Sequence, residues 1–181
     1  MAQLSAYATQ LRIAMQNLAQ DPRVIFLGQA VGVPGTAMRT TLEDIDADRL
    51  IELPVEEDFQ LGMSIGMAIG GFIPVSIFPR WNFVLLAANQ LVNHLDKLGE
   101  ITGLDPAPKV IVRTSIGAEH PLDPGPQHKG DFSDAFVLMC PHMDVVRLDT
   151  TEAIVPAYEK ALMRPDGRST LLVEWGDLYA I

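Results

Sequence analysis

The stretch whose reading decides the fold is Pro54-Val55-Glu56-Glu57-Asp58-Phe59-Gln60-Leu61-Gly62-Met63-Ser64-Ile65-Gly66-Met67-Ala68-Ile69-Gly70-Gly71. Three acids end at Asp58, and no charge follows until Arg80. Gly62, Gly66 and Gly70 recur every fourth residue, which on a helix puts them on one face. Each costs roughly 1 kcal/mol relative to alanine in a helix interior. The stripe therefore needs a compensating reason, and the simplest is a second backbone packed close against it, from this chain or a partner. The acids fall at the helix start, where the helix dipole favours negative charge. On length alone the uncharged run 59–78 could cross a membrane. Its four glycines, Pro74 and strand-like end (Ile73-Pro74-Val75-Ser76-Ile77-Phe78) fit a buried helix, turn and strand better.

Outward from that stretch, helices alternate with short apolar strands. Leu4, Tyr7, Leu11, Met15 and Leu18 recur at spacings of three and four, predicting an amphipathic helix over 4–20. The spacing and breakers then predict strands at 24–27, 50–53, 75–78, 110–112, 144–148 and 170–174. Helices are expected at 42–49, 83–98, 132–140 and 151–163. Residues 115–131 hold three prolines, three glycines, two histidines and four charges, the composition of a long functional loop. Continuous apolar strands are those of a parallel sheet covered on both faces. The expectation is one α/β domain over 1–181: a doubly wound, mostly parallel sheet with helices on both faces. Ligands of such sheets sit at the carboxyl ends of the strands.

The composition excludes several functions. With 23 acids against 13 bases the net charge is −10, the opposite of a nucleic-acid footprint. Met1-Ala2-Gln3-Leu4-Ser5 does not read as a basic segment before an apolar stretch, so a signal peptide is not expected here. The single cysteine, Cys140, fits a reducing, cytoplasmic setting and reads as a small buried apolar residue.

Several segments together carry a resemblance. Pro-Val-x-Glu, the glycine-spaced helix, Gly-Phe-Ile-Pro-Val, Trp-Asn-Phe, Asn89-Gln90-Leu91-Val92-Asn93-His94 with Lys97, and Gly125-Pro126-Gln127-His128 follow in order. Asp21-Pro22-Arg23-Val24 with Leu27-Gly28 precedes them. This pattern resembles the pyrimidine-binding domain of thiamine diphosphate enzymes. It is most similar to the β subunit of 2-oxo acid dehydrogenase E1 components, and is also similar to 1-deoxyxylulose-5-phosphate synthases and transketolases. The resemblance implies that Glu57 is the carboxyl group bonded to N1′ of the cofactor's aminopyrimidine, stabilising the imino tautomer that deprotonates C2. It places Phe83 against that ring, Val55 and Leu86 along the same pocket, and His128 on the substrate side, where an imidazole can move a proton near neutral pH. A carboxyl buried in an apolar wall keeps its proton more readily, which suits the role given to Glu57. Without the resemblance, Glu57 is a solvated helix-start acid, Phe83 a core aromatic and His128 a loop histidine. Glu56 and Asp58 keep that plain reading, His120 stays a loop residue, and His94 and His142 are expected to be structural.

Two positions depart from the family: Gln29 after the first strand and Ile77 in the third stand where acids are usual. A third departure, Asp58-Phe59-Gln60, predicts an altered turn after Glu57. The family's other half-site carries Gly-Asp-Gly and a later Asn that ligate Mg²⁺ and hold the diphosphate; that oxygen-rich donor set suits the ion. Here the nearest matches are Gly130-Asp131-Phe132 and Gly176-Asp177-Leu178. The expectation is half an active site, without a diphosphate-binding or C-terminal domain. An α-type partner would hold the diphosphate and Mg²⁺ in an α2β2-like hetero-oligomer, docked on the Gly62/Gly66/Gly70 face. The reaction expected is 2-oxo acid decarboxylation or ketol transfer. A non-catalytic regulatory or assembly subunit is the competing reading, favoured by Gln29 and Ile77. An unrelated small-molecule-binding α/β domain is the third.

Overall fold

The computed structural model describes residues 4–33, 36–119 and 123–179; His120 lies outside them. Six strands form one sheet: β1 (Val24–Gly28), β2 (Leu50–Glu52), β3 (Ile73–Ile77), β4 (Ile111–Ile116), β5 (Asp144–Arg147) and β6 (Thr170–Trp175). Their order is β2-β1-β3-β4-β6-β5, and every pairing is parallel. This is the doubly wound arrangement the alternating pattern predicts. All residues of β3 and β4 are buried, as befits central strands covered on both faces.

Two cores result, one on each face. On one, α1 (Ala6–Leu18) and α7 (Ile154–Met163) cover the sheet through Leu11, Met15, Leu18 and Tyr158. Ser5 caps α1, its Oγ accepting from the Ala8 N–H at 3.0 Å, which satisfies an orphan donor of the first turn. On the other face, α3 (Glu57–Ile69) and α6 (Ser133–Met139) pack through Leu61, Ile65 and Phe136, joined there by the segment 81–102.

Two expected helices differ. The helix predicted at 83–98 is a succession of windings: α4 (Trp81–Val84), a 3-10 turn (Leu85–Ala87), a π-helical stretch (Gln90–Leu95) and α5 (Leu98–Thr102). The buried residues explain the change. Trp81, Val84 and Ala87 are three apart, whereas Ala87, Leu91 and Leu95 are four apart. Tighter and then wider winding keeps them all toward the sheet. The helix predicted at 42–49 is replaced by α2 (Ala37–Thr40), capped by Thr36, then turns and a 3-10 segment at Ala47–Arg49. Its acids are taken up elsewhere: the Arg12 guanidinium of α1 donates to Asp44 at 2.5 and 2.7 Å and to Glu43 at 3.4 Å. Tertiary pairing overrides a weak local preference.

Candidate functional site

β2 and β3 lie on opposite sides of β1, so the carboxyl ends of β1 and β3 flank the point where the winding reverses. In open α/β sheets that crevice is where ligands bind. Gly28 ends β1 opposite Ile77 of β3. Its φ is +146°, and a Cβ there would lie 2.2 Å from the Ile77 carbonyl oxygen, so no side chain fits. Gln29 follows, then Ala30 at φ 57°, an uncommon conformation for alanine. The turn is held from the end of β2, where the Glu52 carboxylate accepts from the N–H groups of Ala30 (2.8 Å) and Gly32 (2.6 Å).

That turn delivers Gln29 to Glu57: Nε2 donates to Glu57 Oε1 at 3.0 Å. Of the three consecutive acids only Glu57 is buried, at 4% exposure; Glu56 and Asp58 are exposed. Asp58 instead accepts from Gln90 Nε2 at 3.1 Å. One turn on, the buried Gln60 amide donates to Ser76 Oγ (3.1 Å) and to the Ile77 carbonyl (3.0 Å), pinning the start of α3 to the end of β3. No irregular turn follows Glu57, because the helix runs straight through Phe59 and Gln60. Ile77, where the family carries an acid, is buried in the apolar core beneath α1 and α7.

The second pair of expected residues is also joined. Phe83 and His128 have ring centroids 5.6 Å apart, and His128 Nδ1 lies 3.0 Å from Asn82 Oδ1. With that oxygen toward the ring, Nδ1 carries the hydrogen and Nε2 is the free nitrogen. His128 sits on a 3-10 turn (Pro126–His128) after Gly125 at φ +90°. Its carbonyl presses on Gly117, where a Cβ would lie 2.0 Å away. The structure thus joins Gln29 to Glu57 and Phe83 to His128, both pairs on connections that follow the sheet. Val55 and Leu86 are exposed, at 71% and 63%. His94 and His142 are both exposed, and His142 Nε2 is 3.6 Å from Glu100.

Among the described residues no other segment's backbone lies close against Gly62 or Gly66, whereas a Cβ on Gly70 would lie 3.3 Å from the Met67 carbonyl oxygen of its own helix. A Cβ on Gly66 meets nothing within 4 Å, and one on Gly62 meets only the Gln90 side chain at 3.7 Å. Exposed Phe59 and Ile69 share its helix. Among the described residues no three His, Cys, Asp or Glu side chains are grouped to hold a metal ion. Asp131 is engaged internally: Oδ1 accepts from Ser133 N–H (2.9 Å) and Oγ (2.5 Å), and Oδ2 from Arg147 at 2.7 Å. Burial alone would raise its pKa, yet these bonds and the Arg147 charge hold it below the usual carboxylate range. No helix among the described residues is long and apolar enough to span a membrane. Asn82 and Gln60 were legible in Trp81-Asn82-Phe83 and Phe59-Gln60, but their partners are 46 and 16 residues away in the chain, and nothing local marks such contacts.

The family described as transketolase, pyrimidine binding domain, matches residues 5–179. The chain is 31% identical over 114 residues to the pyruvate dehydrogenase E1 component subunit beta of Staurastrum punctulatum, covering 58% of this chain and 35% of that protein. It is 35% identical over 89 residues to the 3-methyl-2-oxobutanoate dehydrogenase subunit beta of Mycobacterium tuberculosis, covering 48% of this chain and 26% of that one. Against the 2-oxoisovalerate dehydrogenase subunit beta of Bacillus subtilis it is 27% identical over 116 residues, 62% of this chain and 36% of that one. These matches span about a quarter to a third of the relatives' lengths. A solved structure titled split gene transketolase, inactive beta4 tetramer, superposes with a TM-score of 0.64 at 16% identity, covering 94% of this chain and 50% of that one; it shares the fold.

Proposed function

Because the chain belongs to the transketolase pyrimidine-binding domain family, we propose that it supplies the aminopyrimidine half of a thiamine diphosphate site in a split enzyme that decarboxylates 2-oxo acids or transfers ketol groups. The observation that carries this reading is Glu57: a buried carboxyl group at the winding reversal, fixed through Oε1 by Gln29, whose Oε2 has no hydrogen bond among the described residues. When bound, the cofactor supplies a nucleophilic carbon that adds to a carbonyl and accepts the electrons of the broken bond. Glu57 holds or gives a proton at the ring nitrogen through Oε2. Phe83 offers a half-buried face for stacking, with Val55 and Leu86 beside it as apolar walls once a partner covers them. His128, oriented by Asn82, presents Nε2 as proton donor or acceptor toward the substrate. The E1 β names of the relatives support the oxo-acid arm.

The other half of the site belongs to a partner. Asp131 spends its carboxylate on Ser133 and Arg147, so it is a poor match for an Mg²⁺ ligand. An α-type subunit then carries the diphosphate and Mg²⁺. The open Gly66 face, flanked by Phe59 and Ile69, is the docking surface of the hetero-oligomer. Co-expression with a Gly-Asp-Gly-bearing partner, followed by calorimetric titration of thiamine diphosphate with Mg²⁺, tests this directly. The pair binds the cofactor and the isolated chain does not; tight binding by the isolated chain would refute the half-site. In the loaded pair Glu57→Gln lowers kcat on the order of 10²-fold or more, and unchanged turnover would sink the catalytic assignment. A wild-type pair that binds cofactor but turns over no 2-oxo acid or ketose phosphate would mark a regulatory subunit instead.

A further inference from the structure

Among the bases of this acidic chain, pairing is nearly complete. Every lysine and arginine but two reaches a carboxylate or, for Arg49 and Lys109, a set of main-chain carbonyls. The exceptions are Arg39 and Arg80, whose guanidinium groups make no hydrogen bond or ion pair among the described residues; Arg39 Nε and Nη1 and Arg80 Nη1 are also shut off from solvent. An occluded cationic nitrogen without a partner is costly, and with 23 acids in the chain a counter-charge was available. Arg39 lies on α2. Arg80 lies in the connection leaving β3 at the winding reversal, three residues beyond Ile77, which pairs with Gly28. Its carbonyl accepts from the Phe83 N–H at 3.1 Å, and the same short connection carries Asn82, the partner of His128. The preceding residue is fixed too: the Pro79 carbonyl accepts from Ser115 Oγ at 2.8 Å.

We infer that Arg80 is the specificity residue for the substrate's carboxylate, its guanidinium kept unpaired so that a 2-oxo acid supplies the missing anion. A planar, bidentate donor matches a carboxylate, here through the Nε–Nη2 edge, since Nη1 alone of the Arg80 nitrogens is shut off from solvent. An anion requirement at this site selects oxo acids over neutral ketoses and aldehydes. The inference rests on the proposed function and narrows it to the oxo-acid arm.

The test uses the co-purified, cofactor-loaded pair with pyruvate and 2-oxobutanoate, comparing wild type, Arg80→Lys and Arg80→Met. The expected result for Arg80→Met is a KM rise on the order of 10²-fold, partly restored in Arg80→Lys, with kcat less affected. Calorimetry then shows thiamine diphosphate binding unchanged, and 2-oxobutanoate binding weakened in parallel with KM. Equal 2-oxo acid affinity in wild type and Arg80→Met overturns the inference while leaving the cofactor assignment intact. Loss of cofactor binding in Arg80→Met assigns the guanidinium to the cofactor and overturns it as well. Loss of partner capture in Arg80→Met, restored by Arg80→Lys, assigns it to a carboxylate of the partner subunit and likewise overturns the inference. A wild-type pair that binds no thiamine diphosphate refutes the proposed function, and this inference with it.

Discussion

Two buried glutamates lie in the same sheet-centred fold and are treated in opposite ways. Glu174, on β6, is fully enclosed with Arg113 of β4. Arg113 donates to it through Nε at 2.6 Å and Nη2 at 3.1 Å, and the hydroxyls of Tyr158 and Tyr179 donate to its two oxygens. Burial by itself would lower the Arg113 pKa; the attraction of Glu174 outweighs it and holds the guanidinium well above its ordinary value. Burial and the Glu174 charge push both phenols well up. Among the described residues the Glu57 carboxyl group receives a single bond, from the neutral Gln29 amide. The contrast separates a charge the chain neutralises from within from a buried carboxyl group whose one bond among the described residues comes from a neutral amide.

Substitution breaks or sharpens that contrast. Arg113→Met leaves Glu174 buried without its counter-ion and should cost about 3–5 kcal/mol. For a chain of this size that lowers Tm by about 6–20 °C. Arg113→Met combined with Glu174→Leu recovers much of the loss, because the uncompensated charge goes with it. Glu57→Gln keeps the shape and an acceptor for the Gln29 amide, so it should cost no more than about 1.5 kcal/mol. If Glu57→Gln destabilises the fold as much as Arg113→Met, the two glutamates are not different in kind.

The same contrast explains what the sequence could disclose. The alternation of helices with apolar strands was legible because burial on both faces writes itself as continuous Val, Ile and Leu. The strand expected at 110–112 nevertheless runs through Ile116, because Arg113 looks like a strand end until its neutraliser, 61 residues away, is known. Glu57 could be separated from Glu56 and Asp58 only through the family resemblance, since three adjacent acids have the same local chemistry. Gln29 was visible as a departure but not as the residue bonded to Glu57, a contact across 28 residues. Arg80 carried no sequence mark at all, since lacking a partner is a property of the whole fold.

Cys140 is a third buried ionisable group and falls on the self-contained side. Burial, with the nearby Asp96 charge, pushes its thiol up to about 11. The unfolded thiol ionises from about pH 8.5, so between that pH and about 11 the unfolded chain releases a proton that the folded chain keeps. Stability therefore falls as pH rises through this window, by about 1–3 kcal/mol at its upper end. Urea melts of wild type and Cys140→Ala at pH 8 and pH 10.5 isolate the effect: the wild type should lose more on raising the pH. A thiol reagent at pH 8 should label the folded chain far more slowly than the unfolded one. Rapid labelling of the native chain would move Cys140 to the outward-facing group.

The smallest effect concerns the glycine stripe, and its sign is what matters. A methyl group on Gly66 meets nothing within 4 Å, and the position is interior to α3. Gly66→Ala should therefore stabilise the isolated chain by about 0.5–1 kcal/mol. A chain shaped only by its own stability would carry alanine there. Gly117 is the control, since a Cβ at that site collides with the His128 carbonyl at 2.0 Å and must destabilise the isolated chain. The difference appears on association. If Gly66 is reserved for a second backbone, Gly66→Trp leaves the melt of the isolated chain nearly unchanged and abolishes capture of the partner, with Gly66→Ala weakening it less. If instead Gly66→Trp associates as wild type does, the stripe serves no interface, and its glycines cost stability for a reason other than contact.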